Sequence, residues 1–136
     1  MARTAFDTGF LVKYLANQPE ARKIFARAST EPEIPVLPAP VYFELETLTL
    51  RGKIRKEAWK KFKMALEELA EFCVLDKEAC LEAAKLRHTY ALSSVDVMIV
   101  SIALVNRCRI LLTTDRTSLA LRLKHAQIGI KVKVLD

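Results

Sequence analysis

The sequence predicts an α/β sandwich built on a central, mostly parallel sheet. Three observations predict it. Short apolar runs alternate with longer stretches of helical period almost throughout, the pattern of strands joined by crossover helices. Leu92–Val105 is nearly all apolar yet opens on helix-capping serines, so it reads as a helix buried almost all round. The 136 residues hold no internal repeat, low-complexity tract or linker, so 1–136 reads as one domain of ordinary size with a real core.

Taken in order, Thr4-Ala5-Phe6 is a short buried strand ended by Asp7-Thr8-Gly9. A helix starts about Phe10, with Asp7 or Thr8 as its cap. Pro19 breaks it, and Glu20–Arg27 forms a second short helix. Glu31–Pro40 holds four of the five prolines. Its centre, Ile34-Pro35-Val36-Leu37, remains a strand provided Pro35 sits where no ladder bond is donated. Pro40 suits position N1 of a helix running through Val41, Glu44, Leu45 and Leu48 to a stop at Gly52. Lys56–Glu71 is the clearest amphipathic helix, with Ala58, Trp59, Phe62, Ala65, Leu66, Leu69 and Ala70 in one 3.6-residue period. Phe72–Leu75 is a third strand, and Asp76 caps a helix reaching about Tyr90. Ser93 or Ser94 then caps the buried helix, Ser94–Asn106, which puts Asp96 in its first turn. Arg109–Thr113 is a fourth strand, ending at Thr114-Asp115. Ser118–Lys124 is a short helix, and Ile130–Val134 alternates as an edge strand with one face exposed.

Composition narrows the function classes. Hydrophobic residues make up 51%, well away from the disordered class. Neither a signal peptide nor a run of transmembrane length is read, so no membrane association is expected. Cys73, Cys80 and Cys108 have no CxxC spacing, which argues for a reducing, cytoplasmic setting and against a zinc site or disulfide framework. The net charge of +6 favours polyanionic partners. His88 and His125, the only histidines, read as helix-surface residues.

Sites in open parallel sheets form beyond the carboxyl ends of the strands. Two strands end directly on aspartates, Asp7 and Asp115. Asp96 opens a helix that can start from the same edge, and Glu44 lies in the first turn or so of another, the one after the second strand. Four carboxylates from four segments can thus meet at one rim. Unpaired carboxylates do not cluster cheaply, because each raises the others' pKa, and a divalent cation removes that conflict. All-oxygen donors suit Mg²⁺ or Mn²⁺. No triad-like nucleophile is present, so metal-assisted hydrolysis is the economical chemistry.

At these residues the chain resembles a PIN domain of the VapC toxin type. Ala5-Phe6-Asp7-Thr8-Gly9-Phe10-Leu11-Val12 is similar to the family's first motif, an aspartate and a Thr or Ser after an apolar strand. Pro40-Val41-Tyr42-Phe43-Glu44-Leu45 resembles the second, a glutamate on a helix. Leu92-Ser93-Ser94-Val95-Asp96-Val97-Met98-Ile99 resembles the third most closely, and Leu111-Leu112-Thr113-Thr114-Asp115 the fourth. The resemblance implies an Mg²⁺- or Mn²⁺-dependent endoribonuclease, homodimeric and silenced by a cognate VapB-like antitoxin. It implies Asp7 and Asp96 as main metal ligands, with Glu44 and Asp115 completing the acidic pocket. Thr8 belongs to the first motif, and Thr113 or Thr114 would orient a carboxylate or water. Gly9 stands where a Ser is common, and Ser118 where many members carry a further acid. The first departure is expected to matter little, while the second weakens the case for a second metal.

Other readings fit less well. Asp7-Thr8-Gly9 also matches the aspartic-protease signature, but those folds are all-β. A receiver domain would want a lysine at the end of a late strand, whereas Lys131 and Lys133 lie inside one. The serious rival is a catalytically silent PIN-like RNA-binding module. It would use the basic run Arg51, Lys53, Arg55, Lys56, Lys60, Lys61 and Lys63, and a second group at Arg116, Arg122 and Lys124. Arg51, Lys53, Lys60 and Arg116 are the candidate nucleic-acid contacts under either reading. The apolar surface around Phe25 and Trp59 is a candidate antitoxin or dimer interface.

Overall fold

The computed structural model describes residues 2–115, 122–123 and 128–135. Five parallel strands, β1 (Arg3–Phe6), β2 (Ile34–Pro38), β3 (Glu71–Cys73), β4 (Ile110–Thr113) and β5 (Lys131–Val134), form one sheet in the order β3-β2-β1-β4-β5. The helices are α1 (Thr8–Leu15), α2 (Pro19–Ala28), α3 (Ala39–Leu50), α4 (Lys56–Leu69), α5 (Lys77–Thr89) and α6 (Ser94–Val105). Because every pairing is parallel, all five strands end on the same edge. This is the α/β sandwich that the alternating pattern predicts.

Register explains the prolines. The Ile34 N–H donates to the Ala2 carbonyl at 3.0 Å, so the next β2 donor facing β1 is Val36. Pro35 therefore turns its missing donor toward β3, where pairing begins only at Val36↔Glu71. An interior strand thus tolerates a proline because its neighbour has not yet started. Pro40 falls in the first turn of α3, behind a cap at Pro38, and Gly52 takes φ +76° just past the helix end.

The core has two parts. Val97 and Ile99–Ala103 of α6 are buried, and α6 packs chiefly on α5. An aromatic cluster joins Phe6, Phe10, Tyr14, Phe25 and Phe62, with ring centroids 4.7–5.4 Å apart. Phe25 and Trp59 are almost fully buried, so of the two readings open for them, core or interface, they belong to the core. The large apolar side chains left exposed include Phe43, Leu50, Met64, Phe72 and Leu81.

Two boundaries differ from expectation. α4 stops at Leu69 instead of Glu71, and β3 spans Glu71–Cys73 instead of Phe72–Leu75. Ala70 is already extended, because Glu71 must pair with Val36 and its carboxylate receives two N–H bonds from Arg3. Leu69, counted in the apolar stripe, is consequently exposed. At the other edge, Lys131 and Lys133 are exposed and Val132 and Val134 half-buried, as the alternation predicts. The expected helix Ser118–Lys124 lies mostly outside the described residues, as does His125, while His88 is exposed on α5. No described helix is long and apolar enough to cross a membrane.

Ser93, not Ser94, caps α6: its hydroxyl accepts the Asp96 N–H at 3.1 Å. Ser93→Ala is expected to cost about 1 kcal/mol, and Ser94→Ala no more than roughly 0.5. Urea unfolding of the two variants checks the difference.

Candidate functional site

The shared strand edge collects acids because backbone and side-chain bonds deliver them there. Asp7 follows β1 directly. Its N–H donates to the Leu112 carbonyl at 2.8 Å, continuing the β1–β4 pairing by one residue. One carboxylate oxygen, Oδ1, accepts the Thr8 N–H at 2.8 Å and so caps α1. The other, Oδ2, accepts the Thr113 hydroxyl at 2.7 Å. Asp7 is thus a helix cap and a buried, doubly held carboxylate at once, only 8% exposed.

Thr113 is fully buried at the end of β4 and extends the chain of bonds. Its Oγ1 also accepts the Asp115 N–H at 2.9 Å, which fixes the backbone of Asp115 relative to Asp7. The Thr8 hydroxyl donates to Glu44 Oε1, tying α1 to α3. Glu44 lies in the second turn of α3, one turn deeper than a helix-opening residue. Asp96 is half-buried in the first turn of α6.

Electrostatics show which of these acids share a space. Burial chiefly, with smaller contributions from the charges of Asp96 and Glu44, pushes Asp7 up to about 6 against the opposing hydrogen bonds from Thr113 and Thr8. Asp96 is raised chiefly by burial, partly offset by a hydrogen bond from Ser93, and then by the charge of Asp115. Asp7 is therefore within electrostatic reach of Asp96 and Glu44, and Asp96 within reach of Asp115. Among the described residues, no three His, Cys, Asp or Glu side chains stand close enough to hold one ion. The donor set nevertheless fits a hard divalent cation. The edge offers carboxylate and hydroxyl oxygens, and burial disfavours the charged forms of Asp7 and Asp96.

The supporting residues separate. Thr8 and Thr113 each bond a carboxylate of the rim, whereas the Thr114 side chain lies against Gly9. Arg51 and Lys53 are exposed beyond the end of α3, about 10 Å or more of helix rise past Glu44, and Lys60 is exposed on α4. Lys63 pairs instead with Glu46 at 3.3 Å. Arg116 lies outside the described residues. The sequence reading overlooked Arg87, whose Nη1 donates to the Ser94 hydroxyl at 3.0 Å and puts a cation beside the start of α6. Only its place in the last turn of α5 could have pointed to it.

A family model described as the PIN domain matches residues 5–122 of the chain. No curated protein sequence gives a significant match. Solved structures superpose well. VapBC2 from Rickettsia felis, bound to a DNA fragment from its promoter, has TM-score 0.79 at 14% identity, covering 98% of this chain and 99% of that one. VapBC-1 from nontypeable Haemophilus influenzae has TM-score 0.73 at 14% identity, covering 97% of each chain. VapC20 from Mycobacterium tuberculosis, a sarcin-ricin loop cleaving toxin, has TM-score 0.61 at 17% identity, covering 79% and 86%. At such identities the likeness carries the fold.

The raised Asp7 carboxyl has a consequence for stability. Its pKa moves from 3.8 in the free group to about 6 in the fold, so the folded state holds this proton more tightly. The resulting stabilisation is full below about 3.8 and lost as pH rises through about 6, an effect of about 3 kcal/mol. In EDTA at pH 7.5, Asp7→Asn is expected to stabilise the fold by about 2 kcal/mol, after loss of part of the Thr113 bond. At pH 4 the gain should vanish. Thermal unfolding of both proteins across pH 4–8 checks this.

Proposed function

The chain belongs to the PIN-domain family, and we propose that it is an Mg²⁺- or Mn²⁺-dependent endoribonuclease, the toxin of a VapBC-type pair. One observation supports the reading: acids from segments distant in sequence interact at the strand edge, Asp7 raised by burial and by the charges of Asp96 and Glu44, and Asp96 by burial and the charge of Asp115. A module that only bound RNA would gain nothing from a buried acidic rim facing a polyanion.

In this reading Asp7 and Asp96 would hold the cation, and Glu44 and Asp115 would complete the rim. Thr113 locks the Asp7 carboxylate in one orientation and fixes the Asp115 backbone. Thr8 holds Glu44 toward the same space. A bound Mg²⁺ or Mn²⁺ supplies what these side chains lack, an electrophile for the phosphate and activation of a water for in-line attack. RNA as substrate is proposed from the family and from the named activity of the Mycobacterium tuberculosis relative. A homodimer and a cognate antitoxin are proposed on the same ground, the antitoxin presenting an Arg or Lys segment to the acids in place of the cation.

The rival, a silent RNA-binding module, draws on the exposed cations Arg51, Lys53 and Lys60 and the net charge of +6. A cleavage assay on mixed structured RNAs separates the two. Wild type should cut with Mg²⁺ or Mn²⁺ and stop in excess EDTA. Asp7→Asn and Asp96→Asn should each lose on the order of 100-fold or more in rate while remaining folded. No cutting, with salt-sensitive RNA binding retained, would favour the binding module or an RNA target missing from the panel.

A further inference from the structure

Gly9 is the second residue of α1, and its backbone gives no reason for a glycine. Its φ is not in the left-handed region, unlike Gly52 and Gly129. Inside a helix glycine is disfavoured against alanine by roughly 0.5–1 kcal/mol. The reason lies in space. A β-carbon at Gly9 would stand 2.1 Å from Thr114 Oγ1, far inside contact distance, while Thr114 Cβ would stand at an ordinary 3.5 Å. The Thr114 hydroxyl occupies the room that the missing side chain leaves.

That seat lies in the middle of the β4 exit. Thr113, before it, is bonded to Asp7, and Asp115, after it, is bonded through its N–H to Thr113. The exit is therefore held to the start of α1 at two places, by a hydrogen bond at Thr113 and by close packing at Thr114. We propose that Gly9 is a positioning residue of the acidic rim. By carrying no side chain it lets Thr114 seat on α1 and keeps Asp115 within reach of Asp96. This rests on the metal-site reading above. It also replaces the expectation that a glycine at this position matters little.

The test uses the full chain as wild type, Gly9→Ala and Gly9→Ala/Thr114→Ala. The double variant keeps the 3.5 Å contact and removes the oxygen at 2.1 Å. Thermal unfolding in EDTA reads the seat itself, and Mn²⁺ titration followed by the EPR signal of the free ion reads the rim. Gly9→Ala should lower Tm by about 4 °C despite alanine's better helix propensity, and weaken Mn²⁺ binding about tenfold. The double variant should regain most of both losses. Gly9→Ala with unchanged Tm and unchanged Mn²⁺ affinity would overturn the proposal, since Thr114 would then simply rotate away. A double variant no better than the single one would overturn it as well. A wild type that takes up no Mn²⁺ would defeat the metal reading and the positioning of Asp115 for a cation with it. The EDTA data would still show whether the seat exists.

Discussion

The strand edge is built around one buried carboxylate. Asp7 extends the β1–β4 pairing through its N–H, caps α1 with one oxygen and takes the Thr113 hydroxyl on the other. Strand register, helix start and acid orientation are therefore a single arrangement. A slip of β4 by one residue that set Leu112 in place of Thr113 would leave Asp7 without a hydroxyl donor. Thr113 then passes the constraint to Asp115, and Thr8 passes it to Glu44. The placement of Asp7, Glu44 and Asp115 thus follows from bonds that also hold the fold.

The same arrangement has a thermodynamic cost. Burial chiefly, and the nearby charges of Asp96 and Glu44 to a lesser extent, raise Asp7 to about 6. At neutral pH the ionised Asp7 carboxylate opposes folding, and apolar packing elsewhere must outweigh it. The fully buried Ile99, Val100 and Ile102 of α6 and the ring cluster around Phe25 supply that packing close to the rim. A rim whose ionisation is unfavourable in the free protein is also one that gains most from a positive partner, whether a divalent ion or the cationic side chain of an inhibitor.

Much of this was legible in the sequence, for physical reasons. Ile110–Thr113 is apolar and short, Val97–Ala103 is apolar on all sides, and Lys131–Val134 alternates, so their burial follows from pattern. Asp7, Asp96 and Asp115 sit where strands end or helices begin, and a parallel sheet brings such places to one edge. What pattern does not encode is partnership across the fold. That Thr113 reaches Asp7 while Thr114 lies on Gly9 depends on where the β4 exit bends. The early stop of α4 depends on a β2 partner for Glu71 more than thirty residues away, against a helical period that runs through it. The basic run around Lys53 and Lys60 has the right charge for RNA, but helix length carries Arg51 and Lys53 away from the acids. Arg87, unremarkable as a residue near the end of a helix, is the cation placed beside Asp96's helix.

The claim at the centre of this account is that the rim of Asp7, Glu44, Asp96 and Asp115 takes a divalent cation. The most direct measurement is a crystal of the full chain soaked in Mn²⁺, with data collected for anomalous scattering. A peak bounded by the Asp7 and Asp96 carboxylates, and lost in Asp96→Asn crystals, is the predicted result. A peak elsewhere, or none at the rim of crystals whose four carboxylates are ordered and ionised, would contradict it.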